Sequence, residues 1–79
     1  MSNFDHYAAA RELVSRLAQA GYADEAMAIQ TAMEDGATGT EILMALRFRL
    51  AEIIKQVPLV GDSRILASRL LAELDESLD

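Results

Sequence analysis

His6 is the one histidine in the chain, and histidine is the side chain best suited to proton transfer near neutral pH. A catalytic role would require a nucleophile or an acid arranged around the imidazole. Ser2 and Ser15 are the serines that could be considered, and neither stands in such a pattern. We therefore expect His6 to rest part-exposed at the edge of the core, and we predict no catalytic residue.

Paired carboxylates and a glycine-containing turn are the other features that could support chemistry. Acidic pairs stand at 24–25, 34–35 and 75–76, but adjacent helical residues point about 100° apart and do not converge. Metal centres in helical bundles use a Glu-x-x-His motif, which the sequence lacks. The stretch GATG lacks the lysine of a phosphate-binding P-loop. We therefore predict no metal, no cofactor, no small-molecule substrate and no enzymatic activity.

Composition narrows the class of partner. The chain has 79 residues, 52% of them hydrophobic, no cysteine and a formal net charge of −6. This length predicts a single domain over 1–79. The negative charge disfavours nucleic acid and anionic membranes, and no apolar run approaches the ~20 residues that span a bilayer. The first residues lack the pattern of a signal peptide. We expect a cytoplasmic protein whose partner is another protein.

Three turn signals divide the chain into four helical segments: Gly21, the 36–39 segment and the 57–62 segment with the only proline. The first helix is predicted over 4–20 with Ser2 or Asn3 as its cap, and the second over 24–34. The fourth is predicted over 63–78 with Asp62 as its cap. No segment shows sustained strand alternation. The fold class predicted is all-α, a compact four-helix domain.

The third helix is the most apolar of the four. Thr38 and Glu41 match a capping box, with Thr40 as a competing cap, and Pro58 stops the helix. A broad apolar face follows the cap: Ile42, Leu43, Leu46, Leu50, Ile53, Ile54 and Val57. A second apolar stripe lies roughly opposite: Met44, Phe48 and Ala51. A helix that is apolar on two sides normally has neighbours on both, so we predict that the third helix is central.

Arg47 lies at the edge of that apolar face and has no acid three or four residues away, whereas Arg49 has Glu52. A guanidinium in this position either pairs with an acid of another helix and fixes the fold, or it belongs to an interface. Arginine, methionine and aromatic residues are enriched at interface cores. The candidate interaction residues are therefore Met44, Arg47, Phe48 and Ala51, and the predicted partner is a protein, possibly a second copy in a homodimer.

The run TGTEILMALR, residues 38–47, resembles a motif in small uncharacterised bacterial helical proteins, some of which look like immunity proteins of polymorphic toxin systems. This resemblance implies a small acidic protein that covers the active surface of a basic toxin or nuclease. Two functions are thus predicted: a self-associating interaction module, or an immunity-like inhibitor.

Overall fold

Four α-helices form the structure, a computed structural model that describes residues 3–79. In chain order they are α1 (His6–Gln19), α2 (Ala23–Asp35), α3 (Gly39–Gln56) and α4 (Gly61–Leu78). The predicted all-α, four-helix fold is confirmed. No helix within the described residues is long and apolar enough to cross a membrane.

The helices pack in a closed ring. Each one contacts the next along the chain, and α1 also contacts α4, while within residues 3–79 the diagonal pairs make no close backbone contact. Helix α3 does have neighbours on two sides, as predicted, but so does every other helix. Helix α3 is therefore no more central than the other helices, because in a ring of four helices around one core each helix has two neighbours.

The core lies inside this ring, and each helix contributes three buried residues to it. They are Ala10, Leu13 and Leu17; Ala26, Ile29 and Ala32; Leu46, Leu50 and Ile53; and Ala67, Leu70 and Leu74. Val57 and Leu59, from the α3–α4 connection, are also buried. The radius of gyration is 11.5 Å, close to the about 11.6 Å expected for a compact chain of this length.

Two predicted helix caps are wrong. Asp5 caps α1, and its Oδ1 accepts hydrogen bonds from the backbone N–H groups of Tyr7 (3.1 Å) and Ala8 (3.0 Å). A single carboxylate oxygen accepts from both N–H groups here because Asp5 stands directly before the first residue of α1, whereas Asn3 lies two residues earlier; Ser2 lies outside the described residues. Asp62 lies inside the first turn of α4, because Gly61, with a φ of 58°, turns the chain into the helix earlier than predicted.

The remaining helix ends follow the sequence signals. Gly21 has a φ of 92° and closes α1 in a Schellman motif, in which the Tyr22 N–H donates to the Leu17 carbonyl at 2.8 Å. Thr38 caps α3 through a 3.1 Å bond from the Glu41 N–H to its Oγ1. The return bond of the box goes to the Ala37 N–H, one residue earlier than predicted.

Candidate interaction surface

Helix α3 turns one apolar stripe inward and the other outward. Leu46 in the first stripe is 0% exposed, whereas Met44 and Phe48 in the second are 52% and 60% exposed. At Met44 and Phe48 the second stripe therefore has no helix of residues 3–79 over it, contrary to the expectation that both stripes are covered, whereas Ala51 is half-buried. The ring explains this, since only the sides of α3 that face α2, α4 and the core are packed.

The four residues predicted for interaction lie together. Met44, Arg47, Phe48 and Ala51 line one open groove, of about 490 Å³, between α3 and α4. Helix α4 contributes Leu71 and Asp75 to the same groove. We call the four α3 residues the Phe48 face.

Arg47 pairs with an acid on another helix, as one of the two interpretations predicted. Its Nη1 lies 3.6 Å from Oδ1 of Asp75 on α4. Both side chains are partly exposed, so the pair contributes about 0–1 kcal/mol to stability. The guanidinium thus ties α3 to α4 and still lies at the rim of the groove. The pairing is compatible with a role at an interface as well.

Arg49 borders the other side of Phe48. Its guanidinium carbon lies 5.5 Å from the centre of the Phe48 ring, and its Nη1 lies 3.3 Å from Oε1 of Glu52. A cation over an aromatic ring at an exposed site contributes about 0.5–1 kcal/mol. Together the two contacts restrict the position of the Phe48 ring on the outer side of α3.

A second groove, which the sequence did not reveal, lies between α2 and α3. Three alanines line it, Ala28, Ala32 and Ala45, and Met27 and Arg49 border it. Its size, about 470 Å³, is similar to that of the α3–α4 groove. Met27 is a further exposed apolar residue, 62% accessible. The only sequence signal for this groove was the recurrence of small residues, which does not by itself say which helices meet.

A polar contact also joins His6, at the start of α1, to Ser77, at the end of α4. His6 Nε2 lies 3.4 Å from the Glu73 carbonyl oxygen and 3.1 Å from Ser77 Oγ. A carbonyl oxygen can only accept, so the contact with Glu73 is a hydrogen bond in the tautomer that carries its proton on Nε2, and in that tautomer Nε2 also donates to Ser77 Oγ. These contacts fasten the start of α1 to the end of α4, and His6 is part-buried as predicted.

Metal-binding side chains do not converge in the part of the chain that the structure describes: no group of three or more His, Cys, Asp or Glu is placed to hold an ion. Comparison with family models, with curated proteins and with solved structures finds no match to this chain. The resemblance of residues 38–47 to immunity-like proteins therefore stays a prediction.

Proposed function

We propose that this chain is a non-enzymatic protein–protein interaction module that associates with itself through the Phe48 face. The observation that carries the proposal is the 60% exposure of Phe48 on a helix whose opposite side is fully buried. An aromatic ring left in water forgoes the burial that stabilises folding, about 25 cal/mol per Å² of apolar surface. A contact with another protein recovers that energy.

The surroundings of Phe48 support an interface rather than a single exposed residue. Met44 beside it is also exposed and shares its groove with Ala51 and Leu71, and Met27 is exposed at the α2–α3 groove, which alanines and the two acids Asp24 and Asp35 line. Contiguous apolar surface with a polar rim is typical of protein interaction sites. Arg47 and Arg49 supply such a rim.

The size of the molecule is sufficient for a dimer. A standard interface buries about 800 Å² on each partner, which is roughly a sixth of the 5036 Å² surface of the molecule. The outer side of α3 and its two flanking grooves extend across three of the four helices. Two copies meeting on this side would bury most of the exposed apolar residues described above.

The test compares two serine substitutions of exposed apolar residues. Phe48→Ser should raise the dissociation constant of the dimer at least about tenfold, since a central aromatic contact is a typical hot spot. Ile65→Ser is the matched control, because Ile65 is 67% exposed but borders neither groove, and it should change the constant by less than about twofold.

Light scattering over a concentration series measures both constants, and circular dichroism melting confirms that each variant is folded. A wild-type chain that stays monomeric at high micromolar concentration would refute the proposal. Equal weakening by the two substitutions would move the contact away from the Phe48 face.

The distribution of acidic residues supports a second candidate function, inhibition of a basic partner. The His6–Ser77 contact joins the start of α1 to the end of α4, and Gly39, which follows the end of α2, lies near the Tyr7 hydroxyl of α1, so the ends of α2 and α4 lie at one end of the bundle. That end carries Glu34, Asp35, Glu41, Asp75, Glu76 and Asp79. An acidic surface attracts a basic partner, so this end would suit an inhibitor of a basic toxin.

The test of this candidate uses a basic toxin encoded beside the gene for this chain. Its association rate should fall steeply with added salt, and Glu76→Gln should slow it further, because steering depends on charge. Absence of a complex, or a rate that does not respond to salt, would exclude the candidate.

A further inference from the structure

We propose that the two copies meet on antiparallel α3 helices related by a twofold axis that passes beside Phe48. This inference rests on the proposed self-association and adds its geometry. It follows from the order of residues along the outer side of α3, in which the two sides of Phe48 are complementary to each other in both size and charge.

Two charged residues of this side, Glu41 and Lys55, lie at equal distances from Phe48. Glu41 is seven residues before it and Lys55 is seven residues after it, and both are exposed. Seven residues of helix correspond to about 10 Å along the axis and return to within about 20° of the starting direction. Glu41 and Lys55 therefore lie on the same line as Phe48, one on each side of it.

The charges on two α3 helices are complementary only when the helices run antiparallel. In an antiparallel pair centred on Phe48, Glu41 faces the partner's Lys55, and Lys55 faces the partner's Glu41. In a parallel pair, each acid would face an acid and each lysine a lysine, which is unfavourable. Within residues 3–79 the Glu41 carboxylate accepts from the Ala37 N–H through Oε2, so its other oxygen can accept from the lysine.

The apolar residues complement each other in the same register. Met44 lies four residues before Phe48 and Ala51 three residues after it, so the antiparallel pair places Met44 over the partner's Ala51. A long, flexible thioether side chain there meets a small one, which suits close packing. The two Phe48 rings meet at the axis, where an offset-stacked arrangement is favourable.

Cysteine trapping tests this register directly, because the chain has no cysteine of its own. Met44→Cys and Ala51→Cys are prepared separately, one of them carrying a cleavable tag that identifies it by mass. Each variant is oxidised alone and in an equal mixture, and the products are separated without reductant. Ile65→Cys, an exposed position outside the grooves, is the control.

The antiparallel register predicts a disulfide only in the mixture. Two copies of residue 44 would lie about 12 Å apart along the axis in this register, too far for a disulfide bond. Cross-linking of each variant alone would indicate a parallel pair and would overturn the inference while leaving self-association intact. No cross-link in a chain that still sediments as a dimer would also overturn it. If the wild-type chain is a monomer, the proposed function itself is refuted.

A charge swap gives a second, independent readout. Lys55→Glu should weaken the dimer about 5- to 100-fold, since it turns two attractive pairs into repulsive ones. Adding Glu41→Lys to that variant should restore the dissociation constant to within about threefold of wild type. If the double variant is weaker than the single one, residues 41 and 55 do not face each other and the register is wrong.

Discussion

Gly36 ends α2 at a point where the chain passes close to Ile42 on α3. A β-carbon built on Gly36 would lie 2.9 Å from the Ile42 backbone nitrogen and would collide with the Ile42 side chain as well. The backbone angles of Gly36, φ −73° and ψ 135°, are open to any residue. Glycine is therefore required at position 36 because there is no space for a side chain, and not because of the backbone conformation.

Gly36→Ala should destabilise the fold by about 1–3 kcal/mol, because helix α3 must shift to admit the methyl group. Gly39→Ala is the matched control, since its new β-carbon would meet only the Tyr7 hydroxyl at 3.9 Å, and alanine at a helix start is neutral to mildly stabilising. Urea unfolding of both variants gives the comparison. Equal losses would contradict the close approach of Gly36 to Ile42.

Leu46→Ala should cost about 2–5 kcal/mol, because this fully buried side chain would leave a cavity. Met44→Ala, two positions away on the exposed side, should cost less than about 1 kcal/mol in the folding of a single chain. Denaturant unfolding at low protein concentration separates the two. If Met44→Ala were the more costly change, the inward and outward sides of α3 would have to be exchanged.

Helix α3 is bounded by signals that act within a few residues. Thr38 satisfies the Glu41 N–H at its start, and Val57 takes the extended conformation that a following proline favours. Between them, the stripe that includes Leu46, Leu50 and Ile53 faces the core. The cap and the proline set the length of α3, and the stripe sets its rotation.

Thr38→Ala should reduce stability by about 0.5–2 kcal/mol through the lost capping bond. Thr40→Ala provides the control, because the cap of α3 is Thr38 and the Thr40 side chain is exposed. Thermal melts of the two variants measure the difference. A loss confined to Thr40→Ala would assign the cap to the competing threonine.

Features that are set by residues close together in sequence could be predicted, whereas features that are set by packing between helices could not. The four helices, the Thr38 cap, the Gly21 turn and the stop at Pro58 arise from neighbours in sequence, and all were predictable. The partner of Arg47 could be predicted only as an acid on another helix, because Asp75 comes near it through packing. The ring arrangement and the alanine-lined groove also depend on packing between helices, which periodicity does not specify.

At the scale of the whole molecule, the ring leaves every helix with one outward side. On α3 that side carries two exposed apolar residues, Met44 and Phe48, between the charged residues usual for a surface helix. Within residues 3–79, α3 is in contact only with α2 and α4, so none of the described helices covers this side. In the proposed dimer a second α3 would cover it, in the one direction that also pairs Glu41 with Lys55.

Sedimentation equilibrium of the unmodified chain tests this account most directly. The account predicts an average mass that rises with concentration across the micromolar range, from the 8.6 kDa of one chain toward twice that value. A mass that stays at that of one chain up to high micromolar concentration would contradict it.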